Sequence, residues 1–291
     1  MSIKRYCLVM PAVVILALGT LIPFLFGLVI SFSKWDLRTP VFSEHPFIGL
    51  SNYIAVLLDP FFHTALQFTI IFVIVAVSLE VLIGLGLAVL YDKDFPLKGL
   101  VITSITIPML LPPLLTGLSW KMLLHPNLGL INYYLGLLGF DWMYHPIIGP
   151  LIVILLEVWS WTPFSFLLLY AGLQAIPKEI FEVASIDGAS EWQRLRYIIL
   201  PMLRNYIMLV VLFRTVGIGG GGLKVFDIIQ ATTKGGPGTL TYSLTMYSWL
   251  RGFYFGNLGE GAAISIITLI IAIFCGELIL RIGKKLGVSL V

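Results

Sequence analysis

Thr64-Ala-Leu-Gln-Phe-Thr-Ile-Ile-Phe-Val-Ile-Val-Ala-Val-Ser-Leu-Glu80-Val-Leu-Ile-Gly-Leu-Gly-Leu-Ala-Val-Leu-Tyr91 runs for 28 residues with one charged side chain, Glu80. About 20 apolar residues in a helix cross the hydrocarbon core of a bilayer, so this run is long enough to span it. The rest of the chain has the same character. Of its 291 residues 58% are hydrophobic and 11% charged, and the mean hydropathy is +0.99. Soluble domains carry about 25% charged residues. A water-exposed sphere of this size needs more polar surface than this sequence supplies, so the chain is built to face lipid.

Working outward, six stretches are long enough to cross: 7–32, 64–91, 100–123, 147–173, 202–230 and 260–282. The N-terminus imitates a signal peptide, with Lys4 and Arg5 ahead of an apolar run. That run continues to about Ile30 through Pro11 and Pro23 with no small-residue cleavage site, so it reads as a retained first span. The fifth stretch is the most interrupted, by Arg214, the glycine run 217–222, Lys224 and Asp227. The expectation is an all-α membrane protein, residues 1–291 forming one transmembrane domain. The loops are too short to fold separately.

An even number of spans puts both termini on one side, and the positive-inside rule selects which. With the termini inside, eleven Lys/Arg residues fall in cytoplasmic segments (4, 5, 93, 98, 178, 194, 196, 204, 281, 284 and 285). Four fall outside: Lys34, Arg38, Lys234 and Arg251. Both termini are therefore expected in the cytoplasm. The outer segments also hold His45, His63, His125 and His145 with Trp35, Trp142 and Trp249, rings suited to a headgroup layer. Scattered histidines without shared spacing predict no metal site. Cys7 and Cys275 form no paired motif. The net charge is +3, but the basic residues stand singly, with no stripe that would track nucleic-acid phosphates.

The segment after the fourth stretch is Pro177-Lys-Glu-Ile-Phe-Glu182-Val-Ala184-Ser-Ile-Asp187-Gly188-Ala189-Ser190-Glu-Trp-Gln193-Arg-Leu-Arg-Tyr-Ile-Ile-Leu200-Pro201. It reads as two short helices with a break. Pro177 suits a first helical position, and Glu179 and Glu182 oppose the helix dipole in the opening turns. Asp187-Gly188 supplies a left-handed stop. Ser190 with Gln193 has capping-box spacing and restarts a helix carrying Trp192, Leu195 and Ile199 on one side. Pro201 marks the hand-over to the fifth span. Physics alone makes this a compact elbow flat on the cytoplasmic face and favours an ordinary interfacial helix between two spans.

The residues add more. The segment resembles the "EAA" loop of ABC importer permeases of bacteria and archaea, with Glu182, Val183 in place of the first Ala, Ala184, Asp187, Gly188, Ala189 and Leu200-Pro201 at the family positions. The wider chain is similar to the carbohydrate-uptake branch of that family through Ile48-Gly-Leu-Ser-Asn-Tyr53, Glu80 to Ala88, Glu157-Val-Trp-Ser-Trp-Thr-Pro163, Lys224-Val-Phe-Asp227 and Thr233-Lys-Gly-Gly-Pro237. The resemblance implies a type I ABC importer permease fold with 177–201 as the coupling loop. It implies that Glu182, Ala184, Asp187, Gly188, Ala189, Leu200 and Pro201 contact an ATPase subunit, Glu182 pairing with a basic group there. It implies a second homologous permease, two ATP-binding cassettes that hold ATP and Mg, and an extracellular substrate-binding protein, all in a prokaryotic plasma membrane. This chain itself is expected to bind no cofactor and to carry no catalytic residue. It departs from the family in Val216-Gly-Ile-Gly-Gly-Gly-Gly222, a linker lengthened by several residues. That run also matches Gly-x-Gly-x-x-Gly, but no strand precedes it and Leu223 stands where a P-loop needs Lys.

Charged groups at bilayer depth are costly and face a pore or the bundle interior. Glu80 reads as a brace. Glu157, Trp161, Thr162, Arg214, Thr215 and Asp227 read as a substrate pathway, because indole faces suit sugar C–H surfaces while polar groups meet hydroxyls. A structural role against a second permease subunit is the equal alternative for each. Prolines 108, 112 and 113 predict an irregular third span. A proton-coupled carrier or a channel is a second functional class, but neither needs the elbow. A membrane-embedded enzyme is a third, but no concentrated polar motif such as His-Glu-x-x-His occurs.

Overall fold

A computed structural model describes residues 3–39, 45–217 and 221–288. Within them the chain is helical, with two isolated bridges, Ser33 to Phe47 and Asp36 to Asn257, and no strand. The helices are α1 (Ile3–Ser31), α2 (Ser51–Leu58), α3 (Pro60–Leu90), α4 (Lys98–Leu110), α5 (Pro113–Leu123), α6 (Leu130–Leu135) and α7 (Ile148–Gln174). They continue with α8 (Lys178–Ile186), α9 (Glu191–Arg194), α10 (Leu200–Val216), α11 (Asp227–Ala231), α12 (Leu244–Trp249) and α13 (Leu258–Lys285). Five helical stretches are long and apolar enough to cross a membrane: Met10–Ser31, Pro60–Leu90, Ile148–Gln174, Glu191–Val216 and Leu258–Lys285. The pair α4 and α5 makes a sixth if counted as one span.

Two expected spans are corrected. The third is not one helix over 100–123 but two, bent by 97°. Leu111 precedes Pro112, and Pro112 precedes Pro113. A residue before proline is driven out of the helical region, and both take extended ψ values of 132° and 134°. Pro113 then opens α5, where its missing N–H is no loss. The fifth span ends at Val216 rather than 230. Gly217 closes it in the left-handed region, at φ +82°. Ile218, Gly219 and Gly220 lie outside the described residues. Lys224 and Asp227 follow in a short 3-10 turn (Gly222–Lys224) and in α11, beyond the span they were expected to interrupt.

The described chain forms two compact units. The first comprises 1–63 and 247–270. Here Asn52 of α2 donates to the carbonyls of Ser31 and Ser33 at 2.8 and 3.0 Å, and the Tyr53 hydroxyl meets Ser31 Oγ at 2.7 Å. Arg251 pairs with Glu260, and Tyr247 donates to Asp59 at 2.5 Å. Burial and that bond to a carboxylate push the Tyr247 hydroxyl above its ordinary range. On the exposed loop, hydrogen bonds from Arg38 hold Asp36 down at about 2.

The second unit comprises 64–246 and 271–291. Its core is apolar contact among α3, α7 and α10. Ala88, Phe166, Leu169 and Val210 form one buried cluster, and Leu173, Ile176, Ile199 and Leu203 another at the elbow end. Both the elbow and the in-span charges belong to this unit.

Candidate functional site

The elbow is built as its local sequence dictates. Helix α8 stops in a Schellman motif: Ala189 N–H donates to Ala184 O at 2.9 Å and Gly188 N–H to Ser185 O at 3.2 Å. That geometry needs a left-handed residue, and Gly188 has φ +71°. Ser190 then restarts the helix with a full capping box. Its N–H donates to Gln193 Oε1 at 2.7 Å, and its Oγ accepts from Gln193 N–H at 3.3 Å. Pro177 stands one place earlier than expected, as the N-cap of α8 with extended ψ 134°. Nor does Pro201 mark a boundary. Glu191 to Val216 is one continuous helix, with a π-helical turn at Leu195–Ile199 directly before it. The wider turn accommodates a proline that has no N–H to give.

Residues in the elbow divide by burial. Ala184 is 7% exposed, while Glu182, Asp187, Gly188 and Pro201 are exposed and Ala189 and Leu200 half-buried. Ile180, Phe181 and Leu195 pack inward against Leu173, Ile176, Ile199 and Leu203. Trp192 does not share that face, contrary to expectation: it is 64% exposed, while Leu195 and Ile199 pack inward. Val183 at 57%, Ile186 at 84% and Tyr197 at 70% are exposed as Trp192 is, large apolar and aromatic side chains of the elbow that sequence reasoning missed. The signal was present: Val183 and Ile186 are three apart and off the Ile180, Phe181 and Ala184 face. The preceding loop braces the elbow through Gln174 Nε2 to Asp92 at 2.8 Å and Lys93 to Glu191 at 3.5 Å. A polar notch of about 360 Å³ lies between Asp92, Asp94, Lys178, Glu182 and Arg194.

Deeper in the same unit, three helices bring charges together. Arg214 of α10 donates from Nε to Glu80 Oε2 of α3 at 2.7 Å and from Nη2 to Glu80 Oε1 at 3.2 Å. The same Nη2 donates to Glu157 Oε1 of α7 at 2.5 Å. Glu80 is 0% exposed, Glu157 1% and Arg214 1%. Glu157 also accepts from the Gly222 N–H at 3.3 Å. A Cβ on Gly221 would collide with Glu157 Oε1 and Arg214 Nη2, so the backbone approaches the carboxylate only because this residue is glycine. The Trp161 ring lies 4.2 Å from the guanidinium, a cation–π contact. The planar fork of arginine suits the bidentate bond and the stack together, which lysine could not.

Of the six expected pathway residues, Glu157, Trp161 and Arg214 come together. Thr162 at 6% and Thr215 at 9% exposure are buried beside them in sequence. Asp227 is half-buried in the first turn of α11 and shares no ion pair or hydrogen bond with Glu80, Glu157 or Arg214 among the described residues. Trp161 Nε1, Thr162 Oγ1 and Arg214 Nη1 are buried without a hydrogen-bond partner. Trp161 also lines a cavity of about 220 Å³ with Ser160 and the Leu110–Pro113 break. The histidines do local work: His125 Nδ1 accepts from the amides of Asn127 and Leu128, and His145 Nδ1 from those of Ile147 and Ile148. No cluster suited to a metal ion occurs among the described residues.

Comparison with known proteins places this geometry. A probable ABC transporter permease of Sinorhizobium fredii is 37% identical over 284 residues, 96% of this chain and 90% of that protein. The trehalose/maltose transport system permease of Thermococcus litoralis is 33% identical over 282 residues, 96% of this chain and 93% of that one. The trehalose transport system permease of Mycobacterium tuberculosis is 36% identical over 267 residues, 90% of this chain and 82% of that one. In fold, the crystal structure of a bacterial ABC transporter involved in import of the acidic polysaccharide alginate matches with TM-score 0.81 at 20% identity, over 97% of each chain. Residues 80–284, from the buried Glu80 through the elbow to the end of α13, match the family of binding-protein-dependent transport system inner membrane components, and this chain is a member of it, a multi-pass permease subunit of an ABC importer.

Proposed function

We propose that the cargo is a carbohydrate and that a partner ATPase drives its movement through the elbow. The observation that carries the coupling role is the elbow itself. A turn closed by a Schellman motif on one side and a capping box on the other, packed on the core, leaves Val183, Ile186 and Trp192 exposed, with Glu182 and Asp187 exposed among them in sequence. Such a surface suits a groove in a second protein, and Glu182 suits a basic group at its edge. In this reading Ala184 packs the elbow, Gly188 and Ala189 form its turn, and Leu200-Pro201 carry its motion into α10. ATP and Mg stay on two cassette subunits, and this chain holds no cofactor. A second, homologous permease completes the pathway, and an extracellular binding protein delivers cargo. Both termini and the elbow lie in the cytoplasm of a prokaryotic cell, as the excess of lysine and arginine there requires. All 291 residues act as one transmembrane permease domain.

The carbohydrate reading draws on relatives named for trehalose and maltose, and on one solved complex with an alginate pentasaccharide-bound periplasmic protein. Within the chain, the unpartnered donors of Trp161, Thr162 and Arg214 support a pathway role, since hydroxyls of a passing sugar would satisfy them. Thr215 and Asp227 would extend that path. The bonds from Arg214 to Glu80 and Glu157 favour a second role for that cluster, as a brace holding Trp161 in place.

The test is purification of the chain from its host in mild detergent, with mass spectrometry of its companions, repeated for Glu182→Lys and Gly188→Val. Recovery of an ATPase and a second permease, lost in both variants, supports the coupling role. Unchanged recovery in the variants removes it. For cargo, Trp161→Ala is expected to raise the KM of sugar uptake, and an unaltered KM excludes Trp161 from the pathway.

A further inference from the structure

We propose that the exposed face of α2 is seated in the outer-leaflet interface of the bilayer, anchoring the loop between α1 and α3 to lipid. The inference rests on the membrane orientation argued above and adds to it an element no span accounts for. The sequence of α2 is Ser-Asn-Tyr-Ile-Ala-Val-Leu-Leu, without a charge. Its exposed large apolar residues are Ile54 at 57%, Leu57 at 50% and Leu58 at 75%, with Leu50 at 60% just before it; Ser51 and Ala55 are exposed beside them. The spacing of 0, 4, 7 and 8 residues places the four large ones on one side of the helix. Asn52 and Val56 occupy the other side, and both are buried.

The level of α2 follows from what holds it. Asn52 bonds to the carbonyls of Ser31 and Ser33, at the end of the first span. A few residues on, Trp35 packs edge-on against Phe26 of that span at 5.7 Å and stacks on His45 at 3.8 Å. Amphipathic rings in this position mark the headgroup layer. On the other side α3 opens at Pro60, a break set by the extended Asp59 that precedes it. The helix is thus fixed between two span ends within the interface. Phe26 at 54% and Val29 at 59% in the last turns of the first span, and Phe61 at 52% in the first turn of α3, are exposed apolar residues at the two span ends. Asp59, which follows α2, is engaged elsewhere: it accepts from the Tyr247 hydroxyl at 2.5 Å and lies 4.0 Å from Arg251. An uncharged helix side, tied through Asn52 to the end of one span and running directly into the next, matches an interfacial helix rather than a water-exposed one.

The test places single nitroxide labels at Ile54, Leu57 and Leu58, through cysteine, in protein whose Cys7 and Cys275 are serine, reconstituted into liposomes without any partner. Collision with dissolved oxygen is compared with collision with a water-soluble nickel chelate. Labels at Ile15, 71% exposed on α1, and at Arg38 on the exposed loop give the lipid and water references. The expected oxygen-to-nickel ratio at all three positions is several-fold above that at Arg38 and close to that at Ile15. Ratios matching Arg38 would overturn the proposal and leave the face open for a protein partner. A water-like value at Ile15 as well would remove the membrane reading itself, and the anchor with it.

Discussion

Arg214 concentrates the cost and the benefit of burying charge. A guanidinium inside a bundle is costly unless its charge is compensated, and Glu80 and Glu157 on two other helices accept three hydrogen bonds from its Nε and Nη2, leaving Nη1 without a partner. Removing one member leaves the others buried and uncompensated. Arg214→Ala is therefore expected to destabilise the detergent-solubilised protein by about 3–5 kcal/mol, read as a lowered unfolding midpoint. Glu80→Gln should cost less than the arginine change, since a neutral acceptor remains. Equal stability of Arg214→Ala and the parent would refute the clamp. Each of the three residues was visible in the sequence as a charge at bilayer depth. Their mutual contact was not, because Glu80 and Arg214 stand 134 residues apart and only helix packing sets which faces meet.

At the scale of the element, the elbow and the broken span depend on single residues. Gly188 holds φ +71°, where a Cβ clashes with its own backbone at about 1–2 kcal/mol. Gly188→Ala is expected to raise hydrogen exchange at the Ala189 amide, whose bond to Ala184 closes the turn, while Gly188→Asn raises it less. Equal exchange in all three proteins would mean that the turn tolerates another geometry. The break between α4 and α5 is a local consequence of two pre-proline residues. Replacing Pro112 and Pro113 by Ala should let residues 98–123 join. Straight helix would separate its ends by about 39 Å, against about 24 Å for two arms at the observed bend. Distances between spin labels at the two ends distinguish these, and an unchanged short distance would assign the bend to packing instead. Much of this scale was legible. Capping box, left-handed stop and irregular third span all follow from neighbouring residues. The outward placement of Trp192 was not, because which side of a short helix meets the core is set by the packing of distant helices rather than by neighbouring residues.

For the whole molecule, the expectation concerns sidedness. In sealed right-side-out vesicles, single cysteines replacing Leu37 or Arg38 are expected to react with a membrane-impermeant maleimide. Those replacing Asp94 or Asp187 should react only after permeabilisation. The reverse pattern would invert the topology, and reaction of all four would mean that the spans are wrongly counted.

What the sequence determined by itself is what depends on composition and near neighbours. The lipid environment follows from hydropathy, the all-helical fold from the need to satisfy every backbone N–H within its own segment, and the elbow from capping residues and one glycine. The ends of the spans were less legible where Gly217 and the proline pair overrode apolar content, since hydropathy measures length but backbone geometry decides continuity. Only the tertiary structure decided that Glu80, Glu157 and Arg214 form one cluster capped by the Gly222 amide, that Trp161 lies on the guanidinium, and that Val183, Ile186, Trp192 and Tyr197 are each left exposed. The physical reason is common to all three. Contacts between helices depend on their rotation and crossing, which sum over every packed side chain, and no local stretch of residues holds that sum.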